Sequence, residues 1–154
     1  MGFKENYKYR RIIVKAGTNI LTGGRDELDD SFIDNLVSQI SDLSSSGREM
    51  LLVSSGAVAA GRGVMRNLSK SSVLPDRQVL AAVGQGRLMH LYEQAFATHG
   101  IPTAQALLSR RDVNDRLGYL NLRNTLLSLL NNGVVPVINE NDVVAVEELE
   151  GEVF

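Results

Sequence analysis

Short apolar runs without polar alternation recur along the chain: Ile12-Ile13-Val14, Met50-Leu51-Leu52-Val53 and Val134-Val135-Pro136-Val137-Ile138. A strand that is apolar at consecutive positions is covered on both faces, and the segments between these runs are long enough for a helix to cross over. Together the two features confine the chain to an α/β fold with an open, mostly parallel sheet and helices on both sides, a three-layer α/β/α arrangement.

The first strand, residues 11–16, stops at the tight loop Gly17-Thr18-Asn19. After the turn signal Thr22-Gly23-Gly24, Asp29-Asp30-Ser31 offers N-cap chemistry; Phe32, Leu36, Ile40 and Leu43 then recur at helical spacing, and Gly47 stands at the C-cap position. The second strand ends in Ser54-Ser55-Gly56-Ala57. A short helix is expected over residues 57–63, a polar loop over 67–76 and a long helix over 78–98. Gly84 and Gly86 interrupt that helix at about 1 kcal/mol each relative to Ala, which implies close backbone packing or a nearby ligand. Residues 101–108 form a third strand. A helix over 112–132, with Leu117, Leu120, Leu127 and Leu130 on its stripe, leads through Gly133 into the fourth strand, 134–138. Segments 143–146 and 152–154 read as a hairpin around Glu150-Gly151. Ending on Phe154 inside a strand-like piece, the chain reads as a fragment of a larger domain with an unfinished sheet edge.

Composition removes several classes of function. Sixteen Lys and Arg against eighteen Asp and Glu leave a net charge of −2, so electrostatics give no case for nucleic acid or an anionic membrane as partner. The absence of cysteine excludes disulfide scaffolds, zinc ribbons and thiolate catalysis, and two histidines, His90 and His99, are too few for a histidine-built metal site. No apolar run approaches the ~20 residues of a bilayer span. Met1-Gly2-Phe3-Lys4-Glu5-Asn6 lacks the apolar stretch of a signal peptide, so a cytoplasmic protein is expected.

Ligands of open parallel sheets bind beyond the carboxyl ends of the strands. Three strands here end in polar or small residues: Lys15-Ala16-Gly17-Thr18, Ser54-Ser55-Gly56-Ala57 and Asn139-Glu140-Asn141-Asp142. Lys15 beside a glycine turn suits a phosphate, although a lysine snorkelling to water has the same pattern. The serine turn offers backbone donors and a helix N-terminus to an anion, or is an ordinary capped turn. Asp142 could grip an ammonium and Asn139 a carboxylate or carboxamide; a solvated acidic loop reads the same way. No Gly-Lys pair of a Walker loop, no Gly-x-Gly-x-x-Gly after a strand and no Gly-x-Ser-x-Gly elbow occurs. His90 and His99 read as surface residues, and residues 110–116 as a helix N-terminus of mixed charge.

Val14-Lys15-Ala16-Gly17-Thr18-Asn19 with Leu21-Thr22-Gly23-Gly24, then Val53-Ser54-Ser55-Gly56-Ala57-Val58-Ala59-Ala60-Gly61, then Leu80-Ala81-Ala82-Val83-Gly84-Gln85, and finally Val135-Pro136-Val137-Ile138-Asn139-Glu140-Asn141-Asp142 occur in that order. Together they resemble the glutamate 5-kinases of the amino-acid kinase family over nearly the whole chain from Arg11. The resemblance implies ATP-dependent phosphorylation of the side-chain carboxylate of L-glutamate to γ-glutamyl phosphate, for proline biosynthesis, with Mg²⁺ accompanying the nucleotide. By the same resemblance Lys15 is the catalytic lysine on the ATP phosphates, with Gly17 and Thr18 in the phosphate-approaching loop. Ser55 and Asp142 are glutamate-binding positions, with Gly56, Ala57 and Asn139 nearby. The family forms oligomers, which leads us to expect a homo-oligomer, and proline is a candidate feedback inhibitor.

In that family a glycine–aspartate–asparagine segment completing the glutamate site follows the position of Phe154. The nucleotide half comes next, with the adenine site and a second phosphate lysine, and many members add a C-terminal PUA domain. Residues 1–10 are therefore expected to be an extension and residues 11–154 the N-terminal part of a kinase domain, which leaves activity of this chain alone open. Two other readings stand beside this one: a relative phosphorylating aspartate, acetylglutamate or carbamate, and a non-catalytic amino-acid-binding fragment.

Overall fold

The computed structural model describes residues 8–68 and 76–144. Four strands, β1 (Arg11–Ala16), β2 (Glu49–Ser54), β3 (Thr103–Leu108) and β4 (Val135–Glu140), form one sheet in the order β1-β2-β4-β3. Every neighbouring pair is parallel, with Lys15 opposite Val53, Val53 opposite Ile138, and Leu107 opposite Asn139. The open parallel sheet read from the sequence is the observed one.

The helices are α1 (Thr18–Thr22), α2 (Asp30–Ser45), α3 (Ala57–Leu68), α4 (Arg77–Ala97), α5 (Arg110–Asn114) and α6 (Arg116–Asn131). Ile33, Val37 and Ile40 of α2 and Leu88, Tyr92 and Phe96 of α4 bury their stripes against Met50, Leu52, Val135 and Val137 of the sheet. Val135, Pro136 and Val137 are buried in succession, so β4 is covered on both faces: by the layer containing α4 on one, and on the other by α6, which packs against β4. β1 differs. Ile12, Val14 and Ala16 face the core, while Ile13 on the opposite face is 65% exposed.

The structure departs from the sequence reading in three local places. The Gly17-Thr18-Asn19 loop opens into α1, which Gly23 ends in a left-handed conformation (φ 59°). The helix expected over 112–132 is two helices, because the Asp115 carboxylate accepts the Gly118 N–H at 2.7 Å while its own backbone is extended. Ser109 and Asp112 cap α5 reciprocally, and those hydrogen bonds hold the Asp112 carboxyl below its ordinary value. α3 runs on to Leu68, beyond the expected Gly63. In the expected hairpin, Val143 and Val144 lie in a turn, and residues 145–154 are outside the described residues.

α3 and α4 cross backbone to backbone. A Cβ on Gly84 would sit 1.8 Å from the Ala57 carbonyl oxygen, and one on Gly61 would sit 1.9 Å from that of Leu80. Gly86 has no heavy atom within 4 Å of its Cβ position. Of the two alternatives for the glycines of α4, close packing applies to Gly84 and does not apply to Gly86. Gly84→Ala is expected to destabilise the protein by about 3 kcal/mol through overpacking. Gly86→Ala should stabilise it by about 1 kcal/mol through helix propensity. Urea unfolding of the two variants checks both signs.

Candidate active site

The carboxyl ends of β1, β2 and β4 open onto one cleft of about 660 Å³. Lys15, Thr18, Ser55, Gly56, Ala57, Asn139 and Asp142 all line it. Gly17 does not; it stands between two lining residues as the N-cap of α1. A Cβ on Gly17 would meet nothing within 4 Å, so the loop after Lys15 leaves open space above its backbone.

Each wall has an identifiable support. The Ser55 N–H donates to the Ala16 carbonyl at 2.9 Å, which holds the serine turn against the end of β1. Gly56 takes φ +100°, a conformation that side-chain-bearing residues rarely adopt, and its carbonyl accepts the Ala60 N–H at 2.9 Å as α3 begins. Ser54 is buried and its Oγ lies 2.8 Å from the Tyr92 hydroxyl. Ser54 Oγ also donates to the Ser55 carbonyl at 2.9 Å, so the proton of the Tyr92 hydroxyl goes to Ser54. Asn139, 7% exposed, donates from Nδ2 to Gln85 Oε1 at 2.8 Å, and its Oδ1 accepts the Glu140 N–H at 2.9 Å.

Sequence reasoning did not single out Arg62 of α3 or Arg77 of α4, yet both line the cleft. Arg77 pairs with Asp142 at 3.8 Å. Lys15, Arg62 and Arg77 against Glu140 and Asp142 give the lining a net positive charge, which favours an anionic ligand. The charge and position of the arginines in sequence carried no signal, since only the packing of α3 on α4 brings them to the strand ends. Among the described residues no group of three His, Cys, Asp or Glu could hold a metal ion, and no helix is long and apolar enough to cross a membrane.

A parallel sheet with helices on both faces and a cleft at its carboxyl edge places the chain in the open α/β class, with its candidate site where such sheets bind ligands. Within that class, residues 10–153 match the amino acid kinase family, and the chain belongs to that family. Over 144 residues it is 51% identical to a glutamate 5-kinase of Dehalococcoides mccartyi, and over 139 residues it is 52% identical to glutamate 5-kinase 2 of Pseudoalteromonas translucida. These alignments take in 92% and 90% of the chain, which spans 38% of the length of either relative. Among solved structures, a carbamate kinase from Giardia superposes with a TM-score of 0.55 at 15% identity, over 86% of this chain and 59% of that one. That likeness is one of fold.

Burial pushes the Tyr92 hydroxyl from the ordinary 10.0 up to about 12. The neutral form is thus favoured in the folded state. Its contribution is complete below pH 10 and is lost as pH rises toward 12, because the unfolded chain gives up the proton first. Tyr92→Phe is expected to cost about 1 kcal/mol at neutral pH. It should also remove this component of alkaline destabilisation, as read by thermal melts between pH 8 and about 12.

Proposed function

We propose that the chain carries the amino-acid-binding side and one phosphate-contacting lysine of an enzyme that phosphorylates the γ-carboxylate of L-glutamate with ATP. The product is γ-glutamyl phosphate, formed in the cytoplasm as the first step toward proline. The observation that carries this reading is the gathering of Lys15, Thr18, Ser55, Gly56, Ala57, Asn139 and Asp142 around one net-cationic cleft, in a chain about half identical to glutamate 5-kinases.

The chemistry is within reach of these residues. A glutamate side chain has an ordinary pKa of about 4.3, so at neutral pH its carboxylate is already the ionised nucleophile and needs no general base. Transfer then depends on position and on neutralising charge. Lys15, exposed at the end of β1, supplies a point charge to the transferring phosphoryl group, and Gly17 and Thr18 bring backbone N–H groups beside it. Asp142 receives the substrate ammonium, exchanging its Arg77 partner for it. Asn139 and the Ser55-Gly56-Ala57 turn offer hydrogen-bond donors to carboxylate oxygens. Mg²⁺, held by the nucleotide phosphates, supplies further charge neutralisation. A homo-oligomeric enzyme inhibited by proline belongs to the same proposal; the exposed Ile13 face of β1 supports association.

Hydroxylamine trapping of the acyl phosphate, with ATP, Mg²⁺ and L-glutamate, tests the reading. Glutamate-dependent hydroxamate is expected from the enzyme that contains this chain, with Lys15→Ala lowering the rate by about 100-fold or more. The exposed Lys15 side chain makes little change in melting temperature when removed. Turnover with aspartate, acetylglutamate or carbamate in place of glutamate would overturn the assignment.

A further inference from the structure

Three carboxamides run in series from the cleft to the surface. Asn139 Nδ2 donates to Gln85 Oε1 at 2.8 Å, and Gln85 Nε2 donates to Gln105 Oε1 at 3.1 Å. The series joins β4, α4 and β3, elements brought together only by the fold. A carboxamide can be turned end for end, so such a chain has two possible polarities. Here one backbone group decides between them. The Glu140 N–H donates to Asn139 Oδ1 at 2.9 Å. Reversing the series would set Asn139 Nδ2 against that N–H, donor against donor, beside a residue that is only 7% exposed. The observed order is therefore the one in which every contact joins a donor to an acceptor.

We propose that Gln85 is a positioning residue for the substrate cleft. By accepting from Nδ2 it holds the Asn139 side chain in one orientation and leaves the second Nδ2 proton to serve as a donor to a bound carboxylate. Gln105 keeps Gln85 in the accepting orientation by taking its Nε2 proton. Gln85 does not line the main cleft, so its effect on the ligand passes through Asn139. The ligand part of this assignment rests on the glutamate reading above; the orientation of Asn139 does not.

Two near-isosteric variants separate hydrogen bonding from packing. Gln85→Glu still accepts from Asn139, and the exposed Gln105 can turn its own Nε2 toward the new carboxylate. Gln85→Leu fills a similar space and accepts nothing. The first readout is solvent exchange of the Asn139 side-chain amide protons in the ¹⁵N-labelled full chain, assigned by their disappearance in Asn139→Asp. Exchange about fivefold or more faster in Gln85→Leu, with slow exchange kept in Gln85→Glu, is expected from loss of one neutral hydrogen bond. Unchanged exchange in Gln85→Leu, or equal acceleration in both variants, overturns the proposal. The second readout is L-glutamate affinity by calorimetry, expected to weaken about fivefold in Gln85→Leu and to be largely kept in Gln85→Glu. If the unmodified chain takes up no glutamate, that counts against the functional reading, and the exchange comparison still decides the role of Gln85.

Discussion

The crossing of α3 over α4 is the contact on which the cleft depends. No side chain separates the two helices: the carbonyl of Ala57 lies over Gly84, and the carbonyl of Leu80 lies over Gly61. Such an approach fixes position more tightly than an ordinary side-chain contact, because backbone atoms have no rotamers through which to relax. Ala57 is also the first residue of α3 and part of the cleft wall. The glycine that seats α4 thus seats the helix end facing the ligand space as well.

Once α4 is seated, two of its polar side chains reach the ends of two adjacent strands. Gln85 and Tyr92 are seven residues apart and so fall on the same side of the helix, about two turns from each other. Tyr92 meets Ser54 at the end of β2, and Gln85 meets Asn139 near the end of β4. Both contacts join uncharged groups. Ordering by neutral hydrogen bonds leaves the net charge of the cleft to Lys15, Arg62, Arg77, Glu140 and Asp142, so the shape and the electrostatics of the cleft are set by different residues.

β2 and β4 were legible because their consecutive apolar residues are buried on both faces, whereas the same pattern in β1 hid an exposed Ile13; the cleft followed because parallel strands end at one edge. What sequence could not settle was local competition and long-range packing. In the chain, Gly84 and Gly86 carry the same helix penalty; only the position of Ala57 on another helix distinguishes a required glycine from a tolerated one. The apolar stripe through Leu117 and Leu120 concealed the break at Asp115, whose carboxylate competes for a backbone N–H that a continuous helix would use. α1 spans five residues, too few to display helical periodicity. Gln85 stood in a segment by which the chain resembles the glutamate 5-kinases, but its Asn139 partner is 54 residues away, and no local pattern reveals such a pairing.

Burial divides the cleft into two unlike ends. Ser54, Gly56 and Asn139 are buried where β2 and β4 meet α4, while Lys15 and Thr18 are exposed on the side of β1, an edge strand within the described sheet. On the proposed function a small zwitterionic acid would take the first end, where donors held in place can read the positions of individual atoms. A flexible, solvated lysine suits the second, where a polyanion needs a charge that can follow it. Ionic interactions at the exposed end are screened by salt, and the hydrogen bonds at the enclosed end much less so. In the proposed reaction, discrimination among acids would therefore fall to the enclosed end, with its neutral donors and the Asp142 carboxylate, and attraction of a phosphate-bearing ligand to the edge.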